Sequence, residues 1–360
     1  MTHSAGTRRL ALLLAALSPG AWTGCTRTLV ETEIVERVDT LRVSDTVVVV
    51  DTVREGPSPY EVVLVAEGLG PISGHLTDAA MTATGPVVGE QRGVVQSMDG
   101  GEVWRLPVPA SEFGGLLGLA ELEGALYAAY SDSLKRLTVS DRSGRVVYRS
   151  GPYAIQHFGG GLATHGGKLL LGYGNGVDYT GPGDPRHGGV VAIDPVTLHV
   201  DTLAVGLRNP FKLAAWGDTL VVSSSGEFLH EGIYAFLLGA PDVADFGYPA
   251  WEGPVCHLAG RCPPRTPPWY TYPTAAFGCS AVVGGAVWDG RYWFADFCEG
   301  WIRTLDRDGR VTHRFDLPGR LSGLKNVGGT LYVLGYDGGR VWRVGRAEGV
   351  AQAPADGPPP

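Results

Sequence analysis

Short apolar stretches recur along this chain in a repeating order. A strand of small residues comes first, then a few turn residues, then an aromatic–aliphatic strand, then a gap and two more short strands. The openings are Asp78-Ala79-Ala80, Gly118-Leu119-Ala120, Gly161-Leu162-Ala163, Lys212-Leu213-Ala214, Gly284-Gly285-Ala286 and Ser322-Gly323-Leu324. Clear second strands follow five of them, as in Ala125-Leu126-Tyr127-Ala128-Ala129-Tyr130 and Lys168-Leu169-Leu170-Leu171-Gly172-Tyr173. Counted at the third residue of each opening (80, 120, 163, 214, 286, 324), the steps are 40, 43, 51, 72 and 38 residues. A period of this size with about four strands per unit marks a β-propeller. Inner strands crowd the axis, which suits small side chains. Six openings therefore predict an all-β, six-bladed propeller over residues 60–346. The last unit, residues 321–344, is one strand short. Glu61-Val62-Val63-Leu64-Val65-Ala66 is expected to supply that strand, which closes the ring and removes an open sheet edge. The 72-residue step predicts an insertion at about 239–277. A pair of β-sandwiches would leave the spacing unexplained.

Composition narrows the classes. With 18% charged and 44% hydrophobic residues, 54 Gly and 25 Pro, the chain of 360 residues reads as globular and turn-rich. A net charge of −8 and the lack of a Lys/Arg cluster argue against a nucleic-acid partner. Arg8 and Arg9 precede an Ala/Leu run at residues 10–17, which is too short to span a bilayer. The run leads to Trp22-Thr23-Gly24-Cys25, a small residue before a cysteine. This predicts a lipoprotein signal over residues 1–24, with Cys25 lipidated. The chain would then face the periplasm or cell surface, held to a membrane only by its anchor; an ordinary secretory signal is the other reading. Residues 25–59 read as a stalk without a stable hairpin signal, and residues 347–360 as a disordered tail. Without Cys25, four cysteines remain, and an exported chain with an even number suggests disulfides. Three connectivities are open. Cys256–Cys262 closes a short loop and Cys279–Cys298 ties two neighbouring strands, and this pairing is favoured. Zinc is disfavoured by spacings of five and sixteen intervening residues.

Propeller sites form where loops entering the inner strands converge, so residues just before each opening matter most. His157 stands ahead of Gly161, and Arg208-Asn209 stand ahead of Lys212. These are equivalent positions in consecutive repeats and are expected at one mouth. Together they offer a proton acceptor, a cation and a two-way hydrogen-bonding amide. The plainer readings are a loop histidine and an Asn-Pro turn.

Several motifs carry a family resemblance over roughly residues 61–345. They are Gly114-Gly115-Leu116-Leu117-Gly118-Leu119-Ala120, Gly89-Glu90-Gln91-Arg92-Gly93, Gly206-Leu207-Arg208-Asn209-Pro210, Phe246-Gly247-Tyr248-Pro249 with Trp251-Glu252-Gly253, and Gly278-Cys279-Ser280 with Asp296-Phe297-Cys298. In this order they resemble the quinoprotein glucose/sorbosone dehydrogenases, in the branch shared with the hedgehog-interacting protein's propeller. The resemblance implies oxidation of an aldose with pyrroloquinoline quinone and calcium, an external electron acceptor, and a monomer. It implies His157 as the base, Arg208 and Asn209 as quinone-binding residues, and Gly226 and Glu227 as carbonyl ligands to calcium. Asn175 would replace an Asp that orients the base. Three residues depart from the pattern: Phe113 for a Gln, Asp289 for a cation and Glu299 near an Arg position. Acids there would repel a quinone with three carboxylates, which opens a second reading, a binding propeller that lost its cofactor. A metal-dependent propeller hydrolase would need several inward carboxylates at blade entries, and few are present.

Overall fold

The computed structural model describes residues 41–43, 46–48, 58–108, 115–152, 157–177, 180, 187–258, 262–274, 279–347 and 358–359. The expected signal segment, Cys25 and Phe113 lie outside these residues, as does most of the tail. Two compact units divide the chain after Val50. In the first, Leu41–Val43 pairs antiparallel with Thr46–Val48, with Leu41 opposite Val48. This segment reads in sequence as a stalk without a stable hairpin signal, but β-branched residues on both sides favour strand pairing.

The second unit contains six sheets, each with four antiparallel strands, the blades of a propeller; one of them carries a short fifth strand paired parallel. Their inner strands are Leu76–Thr82, Leu116–Leu122, Gly159–His165, Asn209–Trp216, Val282–Trp288 and Leu321–Val327, here blades 1 to 6. Each inner strand touches the next, and the sixth touches the first. Blade 6 takes its outer strand, Tyr60–Ala66, from the start of the unit; it pairs with Val341–Arg346, with Val62 opposite Val344. Within the segment expected to be an insertion, Tyr270–Pro273 is instead the outer strand of blade 4, paired with His230–Leu237. The rest of that segment adds Ala244–Asp245 to the edge of blade 3 and forms a small hairpin, Trp251–Glu252 with Val255–Cys256.

Apolar residues fill the space between every pair of adjacent blades. In blade 2, Leu117, Tyr127, Ala129 and Val139 face blade 3, while Leu116, Leu126, Ala128 and Tyr130 face blade 1. Successive side chains of a strand point to opposite faces, and here both faces are covered. That is why the strands read as continuous apolar runs and not as an alternation. The same holds around the ring, up to the seam where Leu76, Ala79 and Val88 of blade 1 meet Val327, Leu334 and Val341 of blade 6.

Three ions lock the axis. Lys212 of blade 4 is buried and reaches Asp78 of blade 1 at 3.4 Å. Its ammonium donates to the carbonyls of Thr77 at 2.7 Å and Leu117 at 3.3 Å. Lys325 of blade 6 donates to Asp78 at 3.2 Å and to the carbonyls of Leu119 and Leu162 at 2.9 and 3.0 Å. Asp78 also accepts the Leu119 N–H at 2.8 Å. A Cβ at Gly323 would lie 2.9 Å from Lys212 Cε, so the glycine leaves room for the lysine stem. Burial lowers the Lys212 ammonium to about 8, with Asp78 opposing the shift. Asp78→Ala would leave two ammonium groups at the axis without a counter-charge, a loss of about 3–5 kcal/mol. Lys212→Met removes the buried cation and leaves Asp78 paired with Lys325. Thermal denaturation should therefore rank Asp78→Ala below Lys212→Met.

Candidate functional site at the mouth of the axis

His157 enters the inner strand of blade 3 with φ 58°, a left-handed conformation that is uncommon for a side chain-bearing residue. Such conformations persist where the surroundings enforce them and gather at functional sites. Here the His157 carbonyl accepts the Gly176 N–H at 3.2 Å. A Cβ on Gly174 would run into that carbonyl, so glycine is required there. His157 Nδ1 lies 2.6 Å from the Val177 carbonyl oxygen. A carbonyl only accepts, so Nδ1 carries the proton and Nε2 is the accepting nitrogen of the neutral ring.

The other sequence-derived residues gather beside it. Asn209 Oδ1 accepts the Gly159 N–H at 3.0 Å, and its Nδ2 donates to Ser225 Oγ at 3.2 Å, which ties blade 3 to blade 4. Asn175 is buried; its N–H donates to the Arg208 carbonyl at 2.9 Å and its side-chain amide to Thr180 Oγ1 at 2.6 Å. The buried Oδ1 of Asn175 has no hydrogen-bond partner among the described residues. Arg208 Nη1 donates to the Gly226 carbonyl at 2.6 Å. The Glu227 carboxylate accepts the Thr180 N–H at 3.1 Å and the Tyr248 hydroxyl at 2.5 Å.

Three carboxylates that the sequence reading did not assign shape this mouth. Glu252 Oε1 accepts four consecutive N–H groups, Glu227 to His230, at 2.6 to 3.2 Å. Burial pushes its carboxyl up, but these N–H groups outweigh that and hold it below the usual range. Glu231 is buried and accepts the N–H of Val282 at 2.9 Å and of Gly226 at 3.3 Å. Asp296 is buried and accepts the Ala281 N–H at 3.1 Å and the Tyr272 hydroxyl at 2.8 Å. Burial raises the carboxyls of both Glu231, to about 7, and Asp296. Glu252 and Asp296 stand inside quoted motifs; nothing local distinguishes Glu231. Both favoured disulfides form, Cys256–Cys262 and Cys279–Cys298, and the second joins the loops around Ala281 and Phe297.

A cavity of about 190 Å³ opens here. Leu116, Leu117, Phe211, Val282, Val283 and Phe297 form its apolar walls. Thr77, Gln91, Asn209, Ser225, Ser322 and Tyr336 add uncharged polar groups. His157 is not among the described lining residues; Asn209, which lines the cavity, binds the backbone two residues after it.

The quinone and calcium do not fit this donor set. Pockets for drug-sized ligands run about 300–1,000 Å³, larger than this one. A tricarboxylate also calls for cations, and no Lys or Arg lines the cavity among the described residues. Calcium takes six to eight oxygen ligands, but the Gly226 carbonyl expected to serve it accepts a guanidinium. Among the described residues no three His, Cys, Asp or Glu side chains group as metal ligands. Of the two acids expected to oppose the quinone, Asp289 is placed otherwise. Asp289 lies beyond Trp288, at the opposite end of the blade 5 inner strand from Val282, and so away from the mouth. Asp289 and Gly290 have φ of 54° and 70°, the two left-handed residues of a tight hairpin turn. The Asp289 carboxylate pairs with Arg346 and accepts the Tyr60 hydroxyl at 2.8 Å. Glu299 is exposed and accepts Trp301 Nε1–H at 2.7 Å.

No family model matches this chain. No curated protein sequence matches it. Solved structures do. The calcium structure of a Trichoderma reesei carbohydrate-active enzyme of family AA12 is 13% identical, with 80% of this chain and 96% of that one covered and a TM-score of 0.57. The gluconolactonase XC5397 from Xanthomonas campestris is 17% identical, with 80% and 90% covered and a TM-score of 0.51. At these identities the likeness is one of fold.

The raised Glu231 carboxyl gives a pH test. The folded state holds its proton more tightly than the unfolded one, so stability falls as pH rises from about 4.5 to about 7. Glu231→Gln keeps an accepting oxygen without the titration. Melting curves at pH 5 and pH 8 should show the variant gaining on the parent at the higher pH.

Proposed function

We propose that this propeller is a sugar-handling enzyme of the cell envelope, with His157 as the proton acceptor for a sugar hydroxyl. The observation that carries the reading is the fixing of Nδ1–H on the Val177 carbonyl, which makes Nε2 the accepting nitrogen of the neutral ring, two residues ahead of Gly159, whose N–H is held by the cavity-lining Asn209. The enforced backbone at His157 and the family motifs support it. So does the shared fold with proteins described as carbohydrate-active and as a gluconolactonase. In this reading Asn209 and Ser225 bind substrate hydroxyls, while Arg208 and Glu252 hold the loop of Gly226 in place. The residues present are assigned proton transfer. Hydride transfer to pyrroloquinoline quinone, which the motifs imply, is not part of the reading because the donor set does not suit that group.

A panel of aldoses and sugar lactones, followed by product analysis, tests this. His157→Ala is expected to lower turnover by on the order of 10²–10⁴-fold, as for a lost general base, while calorimetry shows sugar binding retained. Binding without turnover in the parent protein would favour the second reading, a binding propeller. The envelope placement rests on the apolar run at residues 10–17 and on Cys25. Cys25→Ser should move the protein from the membrane to the soluble fraction on fractionation.

A further inference from the structure

We infer that the axial cavity is itself the ligand site, and that it admits one uncharged, ring-sized molecule with an apolar face and a hydroxylated edge while rejecting carboxylates. The inference rests on the sugar reading and narrows its substrate class. The lining that carries it is one-sided in charge: Leu116, Phe211 and Phe297 offer apolar contact, and Gln91, Asn209 and Ser225 offer only neutral amides and a hydroxyl. A neutral ring exchanges its water hydrogen bonds for these groups and covers the apolar walls with its faces.

An anion finds no such exchange. Two cations near the cavity are engaged elsewhere. Lys212 spends its ammonium on the carbonyls of Thr77 and Leu117 and on Asp78. Arg320 lies over the rings of Phe297 and Tyr336, at 5.4 and 4.9 Å, but pairs through both arms of its guanidinium with Asp337 at 2.6 and 2.8 Å. Behind the blade 5 wall, the carboxylates of Glu231 and Asp296 hold the N–H groups of Val282 and Ala281, which also line the cavity. A carboxylate entering here would lose its hydration, meet no Lys or Arg among the described lining residues, and face two acids through the wall. Burying a charge without a partner costs far more than burying a hydroxyl that keeps one.

Glucose and glucuronate differ only by a carboxylate in place of one hydroxymethyl group, so they test the inference directly. Calorimetric titration of the full-length oxidised protein is expected to show saturable glucose-type binding and glucuronate weaker by roughly tenfold or more. Gln91→Lys places a cation in the lining and should shift the preference toward glucuronate, with thermal melts confirming that the variant folds. Glucuronate or pyrroloquinoline quinone binding as tightly as the neutral aldoses would overturn the inference and leave the sugar reading standing. No saturable binding of any sugar would overturn both.

Discussion

A lysine ammonium buried on the axis sets the terms for the rest of this molecule. Lys212 cannot be desolvated cheaply, and what offsets that cost comes from the opposite side of the ring: Asp78 and the Thr77 carbonyl of blade 1, with the Leu117 carbonyl of blade 2. Lys325 brings blade 6 to the same carboxylate and reaches a carbonyl of blade 3. These bonds form only when the ring is closed. Closure itself depends on Tyr60–Ala66 completing blade 6. The axial ions and the first-to-last strand pairing thus both belong to the closed ring.

Apolar contact between blades supplies bulk, and polar contact at the mouth supplies shape. Every blade is covered on both faces, so little freedom is left in the strands. The variable part is the set of connections above them. There the chain uses buried carboxylates as templates for backbone. Glu252 collects four N–H groups of one loop, and Glu231 and Asp296 fix the first residues of the blade 5 inner strand. Loops built around internal acids leave the described cavity lining itself uncharged. Arg208 follows the same logic with opposite sign, holding the Gly226 carbonyl.

How much of this was legible beforehand depends on how local the signal is. The spacing of small-residue openings and aromatic second strands predicted six blades, and the strands Lys168–Tyr173 and Thr330–Gly335 lie where the pattern put them. Matching offsets ahead of two openings picked out His157, Arg208 and Asn209, and the ring brings them together. Even the axial pair left a trace: Asp78 and Lys212 hold the position that is glycine in three other openings. Asp289 shows the converse. In sequence it stood where a cofactor cation was expected, but its place is a hairpin turn at the other rim, where a left-handed backbone and not a ligand decides the residue.

The sequence by itself determined the number of blades, the order of strands and the loops that would share a mouth, because strand period, turn chemistry and repeat spacing are properties of neighbouring residues. Only the tertiary structure decided which charges are spent and which face the cavity. Lys325 and Asp78 are 247 positions apart, and Glu231 and Val282 are 51 apart. Such pairs exist only once the ring has closed, and burial then gives each of them its strength. The chemistry open to the site is set by that accounting of partners, which no local pattern records.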